Sequence, residues 1–317
     1  MSDSDRYAAV DIGTNSVLMV AAQQSGEPGM VDCLYDRSII AGLGRGADEQ
    51  GRLHPDSIQR AVDAVGELLA VADSLGIPKE SRIITGTAAL RRASNSEQFQ
   101  EALERATGTR VRIIPGDLEA RLSTKAVLAG LPGRSRVRIA DIGGGSTEII
   151  DLVEGETTYA RSFPIGSVRV TEEILRGDPP SKESLLNAAR RVRDLISEAP
   201  EAPAGTELIG VGGTVTTLFA VQAAVDPYRA AAIHGTQLNA DHLDSLRKKL
   251  AGMPLKERAE LPGLPLKRAA VIVGGAVIVQ ALLELWGVES VTASALGLRH
   301  GALIEHFGLV GFKKLFS

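Results

Sequence analysis

Two stretches of this chain, more than a hundred residues apart, follow one plan. Residues 9–20 read Ala-Val-Asp-Ile-Gly-Thr-Asn-Ser-Val-Leu-Met-Val, and residues 139–150 read Ile-Ala-Asp-Ile-Gly-Gly-Gly-Ser-Thr-Glu-Ile-Ile. Each is an apolar strand, a glycine turn and a second apolar strand. Superposed, Asp11 falls on Asp141, Ile12 on Ile142, Gly13 on Gly143 and Ser16 on Ser146. A repeat at this separation predicts two domains built alike. The register breaks at one place. Glu148 stands where the first copy has Leu18, inside an apolar run. A carboxylate there is costly unless paired or metal-bound, so Glu148 is a site candidate.

The turns themselves suit phosphate. Gly143, Gly144 and Gly145 leave bare backbone that can approach a ligand, and such loops form N–H-lined concavities. Ser146 and Thr147 add hydroxyls, and the carboxylates of Asp141 and Glu148 suit a hard cation such as Mg²⁺. Standing alone, the stretch also has the lesser reading of a plain glycine-rich hairpin.

Further along, Arg82-Ile-Ile-Thr-Gly-Thr-Ala-Ala-Leu-Arg-Arg92 runs from a strand into a helix, with Thr85, Gly86 and Thr87 at the strand's C-terminal end, the ligand edge of an α/β sheet. Arg91 follows on a helix, where its fixed charge can clamp phosphate. Pro115-Gly-Asp-Leu-Glu-Ala-Arg121 opens another helix with Asp117 and Glu119 in its first turn, which the helix dipole alone would favour. Pro132-Gly-Arg-Ser135 marks a domain boundary, dividing the chain into 1–131 and 132–317. A terminal helix from about 297 to 317 is expected to pack back on the first domain. In the second domain, strands are expected near 159–165 and 208–211. The second leads into a third phosphate-friendly turn, Gly212-Gly213-Thr214, before a helix from Val215. The apolar segment Ala269–Val288 has the length of a membrane span. Gln280, Glu284 and the Gly274-Gly275 break make it a buried helix instead.

Composition narrows the function. Walker A, GxGxxG, HExxH and GxSxG patterns are absent, which removes P-loop NTPases, Rossmann dehydrogenases, simple zinc proteases and most serine esterases. A net charge of −4 argues against nucleic acid as partner. With one cysteine, Cys33, there is no disulfide framework. No apolar leader precedes Asp11, so a cytoplasmic, non-membrane setting is expected. Glycine loops, an arginine and cation-suited carboxylates serve phosphoryl transfer; with water as acceptor, that is hydrolysis.

Asp11-Ile-Gly-Thr-Asn-Ser16, Thr87-Ala-Ala-Leu-Arg-Arg-Ala-Ser-Asn95, Pro115-Gly-Asp-Leu-Glu-Ala-Arg-Leu122, Asp141-Ile-Gly-Gly-Gly-Ser-Thr-Glu148 and Gly212-Gly-Thr214 together resemble the exopolyphosphatase/guanosine pentaphosphate phosphohydrolase family. The resemblance implies an α/β fold of two ribonuclease-H-like domains of the actin-like ATPase superfamily, with the active site in the cleft between them. It implies Mg²⁺-dependent hydrolysis, with Mn²⁺ as the alternative ion. The substrate would be inorganic polyphosphate or, in the second reading, guanosine pentaphosphate. By motif, Glu119 resembles the catalytic base and Glu148 the second essential glutamate, with Asp141 as its metal-binding companion. Asn15, Ser16, Gly144, Gly145, Ser146 and Thr147 would hold phosphate, and Arg91 would clamp it. Asp11, Thr87, Gly213 and Thr214 are further candidates. The chain looks like the short, two-domain form, and a homodimer is implied. Thr14 departs from the commoner serine, and Asp117-Leu118 from a more acidic run. Basic residues including Arg45, Arg134, Arg136, Arg138, Lys248 and Lys249 are candidates for a polyanion track. The rivals are a kinase of the same superfamily, needing an acceptor other than water, and a non-catalytic alarmone sensor, which would bind without releasing phosphate.

Overall fold

The computed structural model describes residues 6–47 and 50–315. Contacts divide the chain into a first unit that runs to Gly130 and resumes at Leu296, and a second unit, Leu131–Ala295. In the first unit, β1 (Arg6–Ile12), β2 (Ser16–Gln24) and β3 (Met30–Ile40) form an antiparallel meander. β4 (Arg82–Gly86) runs parallel to β1, and β5 (Arg112–Ile113) parallel to β4. The second unit repeats this. β6 (Arg136–Ile142), β7 (Thr147–Val153) and β8 (Glu156–Phe163) are the meander. β9 (Glu207–Val211) runs parallel to β6, β11 (Ser290–Ala293) parallel to β9, and β10 (Gln237–Asn239) closes the edge. The last strand, β12 (Gly311–Lys314), adds to the first sheet beside β3. The sheet orders are β12-β3-β2-β1-β4-β5 and β8-β7-β6-β9-β11-β10, so the repeat seen in the sequence is a repeat of topology.

Some bounds differ from expectation. The strand expected at 159–165 runs Glu156–Phe163. The terminal helix stops at His306, and the chain turns at Gly308, in the left-handed region, to form β12. The third glycine turn is no loop: the helix Gly212–Gln222 begins at Gly212 itself, whose φ of +93° suits glycine alone.

The segment with the length of a membrane span is two helices, Leu266–Ala269 and Ile272–Trp286, and the second is buried through most of its length. No helix among the described residues is long and apolar enough to cross a membrane. Gly274 and Gly275 interrupt its apolar pattern because neighbours press on it there. A Cβ on Gly274 would lie 2.6 Å from Thr171 Oγ1 and 2.8 Å from Ser167 O, and one on Gly275 would lie 2.2 Å from Thr214 Cγ2.

Arg138, a track candidate, is instead a core residue. It pairs in register with Asp151 across β6 and β7. Its Nε and Nη2 donate to the two carboxylate oxygens at 2.6 Å each, Nη2 also donates to Pro200 O at 2.8 Å, and the guanidinium lies 4.5 Å from the centre of the Trp286 ring. Arg134 pairs with Glu207 and Lys248 with Asp244, so neither is an idle cation.

The returning segment closes the first unit. The helix Leu298–His306 crosses the helix Gly116–Gly130 so tightly that a Cβ on Gly301 would meet Leu122 O at 1.8 Å. Leu298, Leu303 and Ile304 pack with Ala9, Val20 and Leu122. The same segment clamps β3. Arg299 donates to both oxygens of buried Asp36, at 2.8 and 2.9 Å, and His300 Nε2 lies 3.2 Å from Oδ2. Gly297 N–H donates to His300 Nδ1, which leaves Nε2 as the hydrogen-bearing nitrogen. Burial alone would raise the Asp36 carboxyl, but Arg299 and His300 outweigh it and hold it down to about 2 from 3.8. A depressed carboxylate stabilises the fold above its unfolded value and ceases to do so as pH falls through the folded one. Roughly 2 kcal/mol should therefore disappear between about pH 4 and pH 2. Denaturant unfolding of wild type and Asp36→Asn across this range should show the gap between them shrinking; a gap independent of pH would remove Asp36 from the acid response.

Candidate active site

In the first unit, the turn between β1 and β2 is closed by Gly13 N–H on Ser16 O at 2.9 Å. The glycine loop 42–46 is clipped onto it: Ala41 and Gly42 N–H donate to Asn15 O, and Gly44 N–H to Thr14 O. A Cβ on Gly44 would fall 2.4 Å from Thr14 Cγ2, so only glycine lets the loop lie this close. Arg45 reaches Asn15 Oδ1 at 3.3 Å, which brings a candidate track residue onto a candidate site residue. Asn15 and Ser16 are buried.

Asp11 and Thr85 are register partners on β1 and β4, and Thr87 donates its N–H to Ile12 O at 3.2 Å. The C-terminal ends of these two strands therefore bring Asp11, the Gly13–Ser16 turn and Thr87 together. Arg91, on the short helix Ala88–Arg92, donates through Nη1 to Glu119 Oε2 at 3.0 Å and to Ile114 O at 2.9 Å. Glu119 is 8% exposed, on the helix Gly116–Gly130. Asp117, its neighbour in the first turn, is exposed. The helix dipole would serve either acid; burial against an arginine distinguishes Glu119. The structure thus joins two residues that the sequence assigned to separate motifs.

In the second unit the turn is the same, with Gly143 N–H on Ser146 O at 3.0 Å. The register of β6 and β7 sets Glu148 directly across from Asp141, where the first unit has Leu18 across from Asp11. Like charges placed opposite one another repel. Glu148 is 4% exposed, and Ser162 Oγ donates to its Oε1 at 2.6 Å. Two carboxylates at one register position, one of them buried, offer hard oxygen atoms of the kind a divalent cation takes. Among the described residues no three acidic, histidine or cysteine side chains gather as a metal cage.

The Gly143–Ser146 turn is held from below. Ser167 N–H donates to Gly143 O, and Val168 and Arg169 N–H donate to Gly144 O. Gly166 lies so close that a Cβ would meet Gly144 O at 2.5 Å and Gly145 N at 2.7 Å. Thr147 is fully buried, and its hydroxyl donates to Ile165 O at 2.6 Å, so that hydroxyl serves the scaffold. Gly144, Gly145 and Ser146 remain at the turn itself.

The helix Gly212–Gln222 aims its N-terminus at the same edge. A Cβ on Gly212 would lie 3.0 Å from Asp141 Oδ1. Its first N–H groups and dipole favour an anion there. Thr214 is buried against Gly275. Arg268 is not among the residues the sequence points to. Its guanidinium covers Gly213, where a Cβ would strike Nη1 at 1.9 Å, so a cation and the helix N-terminus share one spot. The only signal is Gly213 itself, a glycine whose side of the helix has to stay bare.

A family model described as the Ppx/GppA phosphatase family matches residues 19–308. Exopolyphosphatase 2 of Mycobacterium tuberculosis is 34% identical over 321 residues, 96% of this chain and 99% of that protein. The crystal structure of an Aquifex aeolicus Ppx/GppA family member aligns with a TM-score of 0.79 at 30% identity, covering 96% of this chain and 97% of that one. An exopolyphosphatase from Cytophaga hutchinsonii, at 24% identity, shares the fold with a TM-score of 0.85 over 96% of this chain and 99% of that one. With the duplicated sheets, the paired glycine turns and the opposed Asp141 and Glu148 in place, the chain belongs to the Ppx/GppA phosphatase family.

Proposed function

We propose that this phosphoanhydride hydrolase is an exopolyphosphatase, releasing terminal orthophosphate from inorganic polyphosphate with Glu119 as general base toward water. The observation that carries the reading is the opposed pair Asp141 and Glu148 beside a glycine turn, with Glu119 held separately by Arg91. In this reading Glu119 accepts the proton of the attacking water, and Arg91, bonded to its Oε2, fixes the direction of the carboxylate. Gly144, Gly145 and Ser146, with Asn15 and Ser16, bind phosphate oxygens through backbone N–H and hydroxyl groups. Asp141 and Glu148 would hold Mg²⁺, which supplies charge neutralisation on the phosphoryl oxygens when bound. Thr87, Asp11, Gly213 and Thr214 line the same strand and helix ends within their units. A cytoplasmic homodimer belongs to this proposal.

Arg268 over the Gly212–Gln222 helix N-terminus favours, as the second reading, a substrate with phosphates on more than one arm, such as guanosine pentaphosphate. A single assay separates the readings. Phosphate release is followed from short polyphosphate, long polyphosphate and guanosine pentaphosphate, each with and without Mg²⁺. Polyphosphate is expected to be turned over, with loss of activity on chelation and return with Mg²⁺. Release from the guanosine compound alone would move the assignment to the second reading. Tight binding without release would make the chain a sensor, and transfer to an added acceptor a kinase.

A further inference from the structure

Beneath the Gly143–Ser146 turn, on the side of the second unit where Pro164–Ile174 meets the helix Lys182–Ile196, lies a groove of about 390 Å³. That is within the range of small-molecule sites. Its apolar surface comes from Pro164, Ile165, Ile174 and Leu195. Its polar groups are unevenly satisfied. Arg169 and Glu173 pair with each other at 3.3 Å, and Arg169 also donates to Pro164 O. Arg191 and Asn187, one helical turn apart, have side chains with no hydrogen bond or ion pair to any described residue. The lining therefore carries one uncompensated positive charge above an apolar floor.

The walls of this groove are also the supports of the glycine turn. Arg169 N–H donates to Gly144 O at 3.1 Å, and Ile165 O accepts the Thr147 hydroxyl at 2.6 Å. Between them, Gly166 packs on the Gly144–Gly145 peptide. From Val170 to Ile174 the chain is a single π-helical turn, a local widening that often marks function. Anything seated between Ile165, Ile174 and Leu195 touches the segment that positions the turn.

We propose that this groove is a regulatory site for a small amphipathic anion, with its aromatic or branched apolar body on Ile165, Ile174 and Leu195 and its single negative group on Arg191, and that its occupancy stiffens the Gly143–Ser146 turn. Charge complementarity selects the anion, and the neutral Arg169–Glu173 pair selects one negative group over several. Carboxylates and phosphodiesters, each with one negative charge, share this chemistry.

The test uses the full chain and 8-anilinonaphthalene-1-sulfonate, an aromatic monoanion that fluoresces when desolvated. One dye molecule should bind per chain. Arg191→Glu, at an exposed side chain without partners among the described residues, should keep its fold and weaken the dye by about tenfold. The uncharged dye N-phenyl-1-naphthylamine should bind wild type and variant alike. Addition of the anionic dye should slow hydrogen exchange at the Ser167, Val168 and Arg169 amides in wild type and leave the variant unchanged. Equal affinity of the anionic dye for wild type and variant overturns the site. Binding without slowed exchange overturns its link to the turn. Neither readout uses catalysis, so failure here is distinct from failure of the proposed reaction.

Discussion

If Glu119 is the proposed base, Glu119→Gln should lower phosphate release by about 10²–10⁴-fold, the range general-base removal produces. The fold survives. The amide that replaces the carboxylate still presents an oxygen to Arg91 Nη1, which wild type holds at 3.0 Å, and Arg91 keeps its bond to Ile114 O. The lost charge assistance costs about 1 kcal/mol. Steady-state phosphate release and a thermal melt, run on one preparation, check both halves. A variant that melts near wild type and turns over within a few-fold of it would take the base assignment from Glu119. One that fails to fold would show that the ion pair with Arg91 is structural first. Substrate affinity separates the roles further: Glu119→Gln should change kcat far more than KM, because a base contributes to the transition state and little to ground-state binding.

Asp151→Ala destabilises the second unit by about 3–5 kcal/mol, the cost of stranding a buried charge. Arg138 is 1% exposed; without Asp151 its Nε would lose its acceptor and its Nη2 would keep only Pro200 O. The remaining contacts, Pro200 O and the Trp286 ring, cannot replace a bidentate carboxylate. The converse is as informative. Arg138→Met combined with Asp151→Leu should recover most of the loss, because a buried ion pair replaced by apolar residues of similar volume is often neutral. Denaturant unfolding of the two single variants and the double variant gives the coupling directly. If Asp151→Ala unfolds within about 1 kcal/mol of wild type, the pair is solvated and the argument from burial fails.

The two largest elements of the fold were legible because they rest on local patterns. The repeat of residues 9–20 at 139–150 predicts two meanders with like turns, and both form with the same turn hydrogen bond. The helix Lys182–Ile196 likewise starts at a local signal, the Ser181 side chain that accepts from Ser184 N–H. Glu148 is visible as a charge in an apolar strand. Its partner across the ladder is implicit in the hairpin register, and the same register sets Asp151 opposite Arg138. Charge type alone nonetheless marks Arg138 as a surface track residue, because it ignores the position on the strand pair. What stayed hidden depends on contacts distant in sequence. Nothing near Arg91 announces Glu119, and nothing near Gly213 announces Arg268. β12 is only four residues long, beyond a helix, and becomes a strand because β3 offers it an open edge.

The first unit is interrupted in sequence, and the second is continuous from Leu131 to Ala295. A ribosome makes the first unit's meander at once but cannot complete that unit until the segment from Leu296 has been made. Until then, Ala9, Val20 and Leu122 lack the apolar cover of Leu298, Leu303 and Ile304, and Asp36 lacks both Arg299 and His300. The second unit has all its strands and its central helix in hand by Ala293. The unit whose synthesis begins first is therefore the unit completed last, and its closing contacts wait on residues made after the second unit.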